Sequence, residues 1–149
     1  MPDTRFDPAE HGWTLSHGRR FPASIAPLWQ READGGVELG FFCEAGHDNG
    51  NGAMHGGLVA TLADIGLGRA VGMHRNADRK PDEPRIVSAT IQLAISYCGR
   101  VEVGEFVSSR GRVVRATRTL TFAAGELGVG ERTIAMMQGV FKLVRDAGG

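Results

Sequence analysis

Apolar positions along this 149-residue chain recur with two periods, and the change between them marks out the elements. Val37, Leu39, Phe41 and Cys43 alternate with Glu38, Gly40, Phe42 and Glu44, which is the period of a strand with one buried face. Leu28 to Glu32 predicts a strand before it. The two join through Ala33-Asp34-Gly35-Gly36, where glycine takes the positive φ of a hairpin turn freely. From Gly56 to about His74 the pattern becomes helical. Leu58, Val59, Leu62, Ala63, Ile65, Leu67, Ala70 and Val71 leave it apolar nearly all round, so it reads as a helix buried on most faces. Gly66, Gly68 and Gly72 each cost such a helix about 1 kcal/mol against alanine. Close approach to a sheet or a partner helix is the expected reason for them.

Residues 76–84 are charged and carry Pro81 and Pro84, hence a solvated loop. Strand periods return after it. Thr90 to Tyr97 alternates, with Ile91, Leu93, Ile95 and Tyr97 on one face. Gly104 to Arg110 predicts a strand turning near Gly111. Val114 to Ala123 sets Thr117, Thr119 and Thr121 opposite Ala116, Leu120 and Phe122, and a turn over Gly125 to Gly130 leads into a last strand, Thr133 to Val144. At the other end, Asp7-Pro8-Ala9-Glu10 has an N-cap followed by proline at the first helical position, which predicts a short helix. Trp13 and Leu15 are placed to dock it, and Phe21 to Pro27 reads as a connector. The expected fold class is α+β: a strongly curved antiparallel sheet around one long helix, one domain over 1–149 with residues 1–27 as an N-terminal extension. Small apolar residues on the sheet's outer face point to a second copy of the chain.

Composition narrows the function classes. Seventeen basic and seventeen acidic residues cancel, so no global field points to nucleic acid or an anionic membrane. Two cysteines, Cys43 and Cys98, are too few for a disulfide framework and fit reduced thiols in a cytoplasmic protein. Met1 to Glu10 has no apolar run, so no signal peptide is expected, and no stretch has the length of a membrane span. GxSxG, GxxxxGK[ST] and HExxH are all absent, Asp48 to Gly52 lacks calcium-loop spacing, and the five histidines are scattered. No metal is expected.

One stretch retains chemical interest. Asn49-Gly50-Asn51-Gly52-Ala53-Met54-His55-Gly56-Gly57 runs straight into the apolar helix, which carries a single carboxylate, Asp64. A buried, unpaired carboxylate is costly and asks for a reason. Glycines at a helix start let a ligand approach free first-turn N–H groups at the positive end of the helix dipole. That setting suits the oxyanion of acyl transfer, and Asp64 lies two turns on, close enough to serve an attacking water. By base rate Asp64 is equally a structural acid held by backbone or arginine, Asn49 a turn residue, His55 a structural histidine and Thr90 an ordinary strand residue.

These residues carry a resemblance. His47-Asp48-Asn49-Gly50-Asn51-Gly52-Ala53-Met54-His55-Gly56-Gly57, with Leu62-Ala63-Asp64 after it, resembles the HxNxxGxxHGG…LxD signature of hotdog-fold thioesterases, the phenylacetic-acid-degradation (PaaI-like) branch in particular. The likeness spans roughly residues 37–144 and is specific over 47–64. It implies a hotdog fold and hydrolysis of an acyl-CoA thioester to a carboxylic acid and free CoA. The Gly57 N–H and the Asn49 side chain would polarise the carbonyl, and Asp64 would act as general base or nucleophile. Thr90 would orient water, and His55 would begin the turn beside Gly56. Arg110, with Arg112 and Arg115 near it, would meet CoA phosphates. The resemblance implies no cofactor and a site between the two subunits of a homodimer, usually within a tetramer. The rival is a noncatalytic acyl-CoA binding or sensing protein of the same fold; a hotdog dehydratase lacks support because its Asp/His pairing on the helix is missing.

Overall fold

The computed structural model describes residues 5–17, 20–34 and 36–144. Gly35 of the expected turn, and Pro2 and Arg19, lie outside them. Asp7 caps as expected, its Oδ1 accepting from the Ala9 N–H at 3.0 Å, but the element is a single 3-10 turn, Pro8–His11. Trp13 is buried and meets Phe106 edge to face at 5.1 Å, whereas Leu15, in the short strand β1 (Thr14–Leu15), is half exposed and does not dock. The expected connector contains a short helix, α1 (Phe21–Ile25), with Pro22 in its first turn, a position that needs no proline N–H.

β2 (Trp29–Ala33) and β3 (Gly36–Phe42) form the hairpin, with Asp34 at φ 49°, a left-handed conformation that aspartate tolerates. Leu39, Phe41 and Cys43 are buried as their alternation requires. Gly40 and Phe42 face the other way. There the Phe106 ring lies over Gly40 so closely that a Cβ would come within 2.7 Å of it. Phe6, Trp13 and Phe42 gather around Phe106, so the N-terminal extension covers this part of the sheet's outer face.

The long helix, α2, runs Gly56–Asn76, close to the expected bounds. The buried set, Val59, Leu62, Ala63, Gly66, Leu67, Ala70 and Val71, is one stripe rather than most of the surface. Leu58, Ile65 and Asp64 are only half buried. At its end the Arg75 guanidinium donates to Thr117 O at 2.7 Å and Leu120 O at 2.8 Å. The Asn76 side chain binds both the N–H and the C=O of Ile86, holding the chain as it turns back into the sheet.

Four long strands complete the fold: β4 (Val87–Tyr97), β5 (Phe106–Ala116), β6 (Leu120–Val129) and β7 (Arg132–Val144). The seven strands form one antiparallel sheet in the order β1-β2-β3-β5-β6-β7-β4, curved around α2. The turn expected near Gly111 is absent, and the one expected over Gly125 to Gly130 is confined to its far end. Gly111 lies inside β5 and Gly125 inside β6, paired with each other across the sheet. They are glycines for contact: a Cβ on Gly125 would run into the Arg110 carbonyl, and one on Gly111 would press on Leu67 at 3.2 Å. The chain instead turns at 117–119, where Thr117 N–H donates to Leu120 O, and at Gly130, where φ is +56°.

β4 departs from simple alternation. Thr90 pairs with Phe141 and Gln92 with Val140, so Ile91 is the extra residue of a β-bulge. Cross-strand partners share a face, and Phe141 and Gly139 both face α2. Thr90, Leu93 and Ile95 therefore face the helix, while Ile91, expected beside Leu93 and Ile95, is 56% exposed.

Of the helix glycines, Gly66 has the reason anticipated: an added Cβ would stand 2.7 Å from Ser109 Cβ, and Ser109 is fully buried. Gly68 makes only ordinary contact, and nothing lies within 4 Å of a Cβ on Gly72, which the structure does not explain. Gly66→Ala should destabilise the protein by about 1–3 kcal/mol through overpacking, and Gly72→Ala should stabilise it by about 0.5–1 kcal/mol through helix propensity. Urea unfolding of both variants, read by far-UV circular dichroism, checks the opposite signs.

Candidate functional site

The loop before α2 is built on its own side chains. Gly50 and Gly52 take φ of +90° and +73°. Asp48 Oδ1 accepts from both of their N–H groups, at 2.9 and 2.8 Å. Asn49 Oδ1 accepts from the Asn51 N–H at 2.8 Å, an Asx turn, which leaves its Nδ2 as the free end. The loop rests on the segment after β4: Met54 N–H donates to Val101 O at 2.7 Å and Arg100 to Asn51 O at 2.8 Å. Glu105 braces that segment, accepting from Glu102 N–H and from Arg132. Burial pushes the Glu105 carboxyl up, but the Arg132 hydrogen bonds, the Glu102 N–H and the Arg132 charge outweigh it and hold its pKa below the usual range. The brace is thus complete at neutral pH and is lost only as pH falls through that lowered value. Behind the loop, His47 Nδ1 accepts from Glu44 N–H, so its Nε2–H is the donor to Ile25 O at 3.0 Å, tying α1 to the site.

His55 is the N-cap of α2. Its carbonyl accepts from Leu58 N–H at 2.9 Å, and its Nδ1 accepts from the Gly57 N–H at 3.1 Å. The expected oxyanion donor therefore has a partner in the free chain, and the ring proton lies on Nε2. Both bonds fix the turn at the start of α2. On the same peptide group, Gly56 O accepts from the Tyr97 hydroxyl at 2.7 Å.

Asp64 sits seven residues after Gly57 on the same face of α2, about 10 Å further along the axis. A helical side chain leans toward the N-terminus, which shortens that gap. Asp64 Oδ1 accepts from Thr90 Oγ1 at 2.7 Å. Among the described residues it has no arginine or backbone partner. The pairing of Asp64 with Thr90 follows from the β4 bulge, which turns Thr90 to the helix side.

Arg110 is not brought to this site. It points to the face of the sheet opposite α2, where its Nε lies 3.4 Å from Glu38 and its Nη1 3.8 Å from Glu126, with a further bond to Gly130 O. The alternation that exposes Arg110 also sends it away from the helix, and two carboxylates already neutralise it there. A cavity of about 880 Å3 borders that region, lined by Val37, Glu38, Ala70, Met73, His74 and Arg110 among others, and Asp64 and Thr90 lie outside it. Among the described residues no group of three or more His, Cys, Asp or Glu side chains is placed to hold a metal ion. Sequence reasoning missed Tyr97 as a site residue. The available signal was a tyrosine on the helix-facing side of the strand that also carries Thr90.

The chain is 38% identical over 97 residues to "Putative esterase PA0474" of Pseudomonas aeruginosa, covering 65% of this chain and 67% of that one. In fold it is similar to the BH2602 protein of Bacillus halodurans, whose crystal structure contains CoA, with a TM-score of 0.72 at 22% identity over 88% of this chain and 83% of that one. It is likewise similar to the phenylacetic acid degradation protein PaaI of Thermus thermophilus, with a TM-score of 0.69 at 19% identity over 83% and 98% of the two chains. The sheet around α2 is the hotdog fold. The sequence model of the family described as "Thioesterase superfamily" matches residues 51–134, which contain the helix, Asp64 and four of the seven strands in whole or in part. By that match and by its fold, the chain belongs to the thioesterase superfamily.

Proposed function

We propose that the protein is an acyl-CoA thioesterase, with the half-buried Asp64 carboxylate, partnered by the Thr90 hydroxyl, as the observation that carries the reading. A carboxylate on an apolar helix with one hydroxyl on one oxygen has its other oxygen left for water. Thr90 orients the group and Asp64 acts as general base, drawing a proton from that water as it adds to the thioester carbon. Direct attack by the carboxylate is the variant of the same site. Charge developing on the carbonyl oxygen is met by the Gly57 N–H at the positive end of α2, with Asn49 Nδ2 beside it. The His55 Nδ1 is the resting acceptor of that N–H, and the substrate oxygen shares or replaces it, while Gly56 leaves the approach clear. When the C–S bond breaks, the thiolate takes up a proton, giving a carboxylic acid and free thiol. The reaction needs no cofactor. CoA as the thiol is supported by the CoA in the Bacillus halodurans structure.

The working unit in this reading is a homodimer, with Gly57 and Asn49 from one protomer facing Asp64 and Thr90 from its partner. Support comes from the half-open face of α2 and from β4, the edge of the sheet, which carries the exposed Val87, Ile91 and Tyr97.

Asp64→Asn should lower thiol release from acyl-CoA by about 10²- to 10⁴-fold at unchanged thermal stability, measured with a thiol reagent over aromatic, short and medium acyl-CoAs. Undiminished activity in that variant sinks the mechanism. Tight binding of acyl-CoA without thiol release by the wild type favours a noncatalytic binder. Asn49→Ala and Asp64→Asn chains, unfolded together and refolded, should recover up to about a quarter of wild-type activity if each site draws on two protomers. Sites contained within one chain recover none.

A further inference from the structure

We propose that Tyr97 is a positioning residue for the oxyanion donor, acting through the Gly56–Gly57 peptide group; this rests on the acyl-transfer reading above. The Gly56 carbonyl and the Gly57 N–H are two ends of one planar amide. The Tyr97 hydroxyl donates to the carbonyl end at 2.7 Å, and the N–H end points to His55 Nδ1 at 3.1 Å. The tyrosine ring also lies along Gly56, with ring atoms 3.6 and 3.7 Å from where a Cβ would stand. The peptide is thus held in position and orientation from the strand side.

A hydrogen bond accepted by an amide oxygen draws electron density toward it and makes the N–H of the same amide a stronger donor. Tyr97 therefore does more than hold the helix start. It raises the donor strength of the group that meets the developing oxyanion, before substrate arrives. The carbonyl has two lone pairs, so this bond adds to the intrahelical one without replacing it.

β4 reaches both Asp64 and Gly56 of its own chain by the same device. Tyr97 and Thr90 are seven residues apart, which in an unbroken strand would put them on opposite faces. The bulge between Thr90 and Gln92 restores them to one face, Thr90 against Asp64 and Tyr97 against Gly56. In the dimer of the reading above, one edge strand thus orients the carboxylate of one site and the donor peptide of the other.

The test is Tyr97→Phe, which keeps the ring and removes only the hydroxyl, with Tyr97→Leu for comparison. In the substrate-free protein the Gly57 amide proton resonance should move upfield in the phenylalanine variant and its base-catalysed exchange should slow, while the amides of Leu62 and Ala63 stay in place. A Gly57 amide unchanged from wild type overturns the proposal. This measurement needs no substrate, so it stands whether or not the chain hydrolyses acyl-CoA, and absence of wild-type hydrolysis overturns the thioesterase reading separately. In the active enzyme kcat should fall about 3- to 10-fold with KM within about twofold, because the donor counts most in the transition state. The leucine variant, which loses the ring contact with Gly56 as well, should be at least as slow as the phenylalanine one. Wild-type kcat in Tyr97→Phe with loss only in Tyr97→Leu would reduce the residue to ring packing and overturn the role.

Discussion

The fold depends on how near α2 can come to β5. At Gly66 the helix backbone lies against the Ser109 side chain, and at Gly111 the strand backbone lies against the side chains of Leu67 and Ala70, so at each point only one of the two elements contributes a side chain. Close approach of this kind draws the sheet in around the helix, and the Gly111–Gly125 pair lets neighbouring strands crowd as the sheet bends. Leu62, Leu67, Val71, Leu127, Ile134 and Phe141 then close a core with almost no exposure.

That curvature has a consequence for chemistry. Wrapping brings the far edge strand, β4, back beside the helix although it is the last strand of the sheet. An edge strand is free to carry a bulge without disturbing a neighbour on its outer side. The bulge at Ile91 turns Thr90 to Asp64 and leaves Tyr97 against Gly56. The loop at 48–54 supplies the opposite wall through hydrogen bonds internal to itself and to the segment after β4.

The outer face of the sheet is treated differently. Phe6 and Trp13 of the extension cover Phe106, with the Arg31 guanidinium 4.6 Å from the centre of the Trp13 ring. Glu38 is buried between Arg31 and Arg110, a carboxylate satisfied by two cations, as burial of a charge requires. Asp64 is the contrast. Its partner is the Thr90 hydroxyl, and among the described residues it has no cation beside it.

The sequence alone determined what depends on neighbouring residues: the helix and its start, the first hairpin, the Asp7 cap, and the motif from Asn49 to Asp64. Each follows from local periodicity or from side chains that bond to backbone two to four residues away. Tertiary structure decided what depends on which strands meet. Glycines that read as turns at 111 and 125 are points of contact, because a glycine's need for space shows only when its neighbour is in place. Strand parity sends Arg110 to the outer face, away from Asp64, where Glu38 and Glu126 meet it from other strands. The lone carboxylate was legible as an oddity in the sequence; alternation set Thr90 on the face away from Leu93 and Ile95, and only the resemblance named it with Asp64. A bulge changes the parity of every position before it, so counting back along β4 puts Thr90 on the wrong face, while Tyr97, beyond the bulge, keeps the face it shares with Leu93 and Ile95.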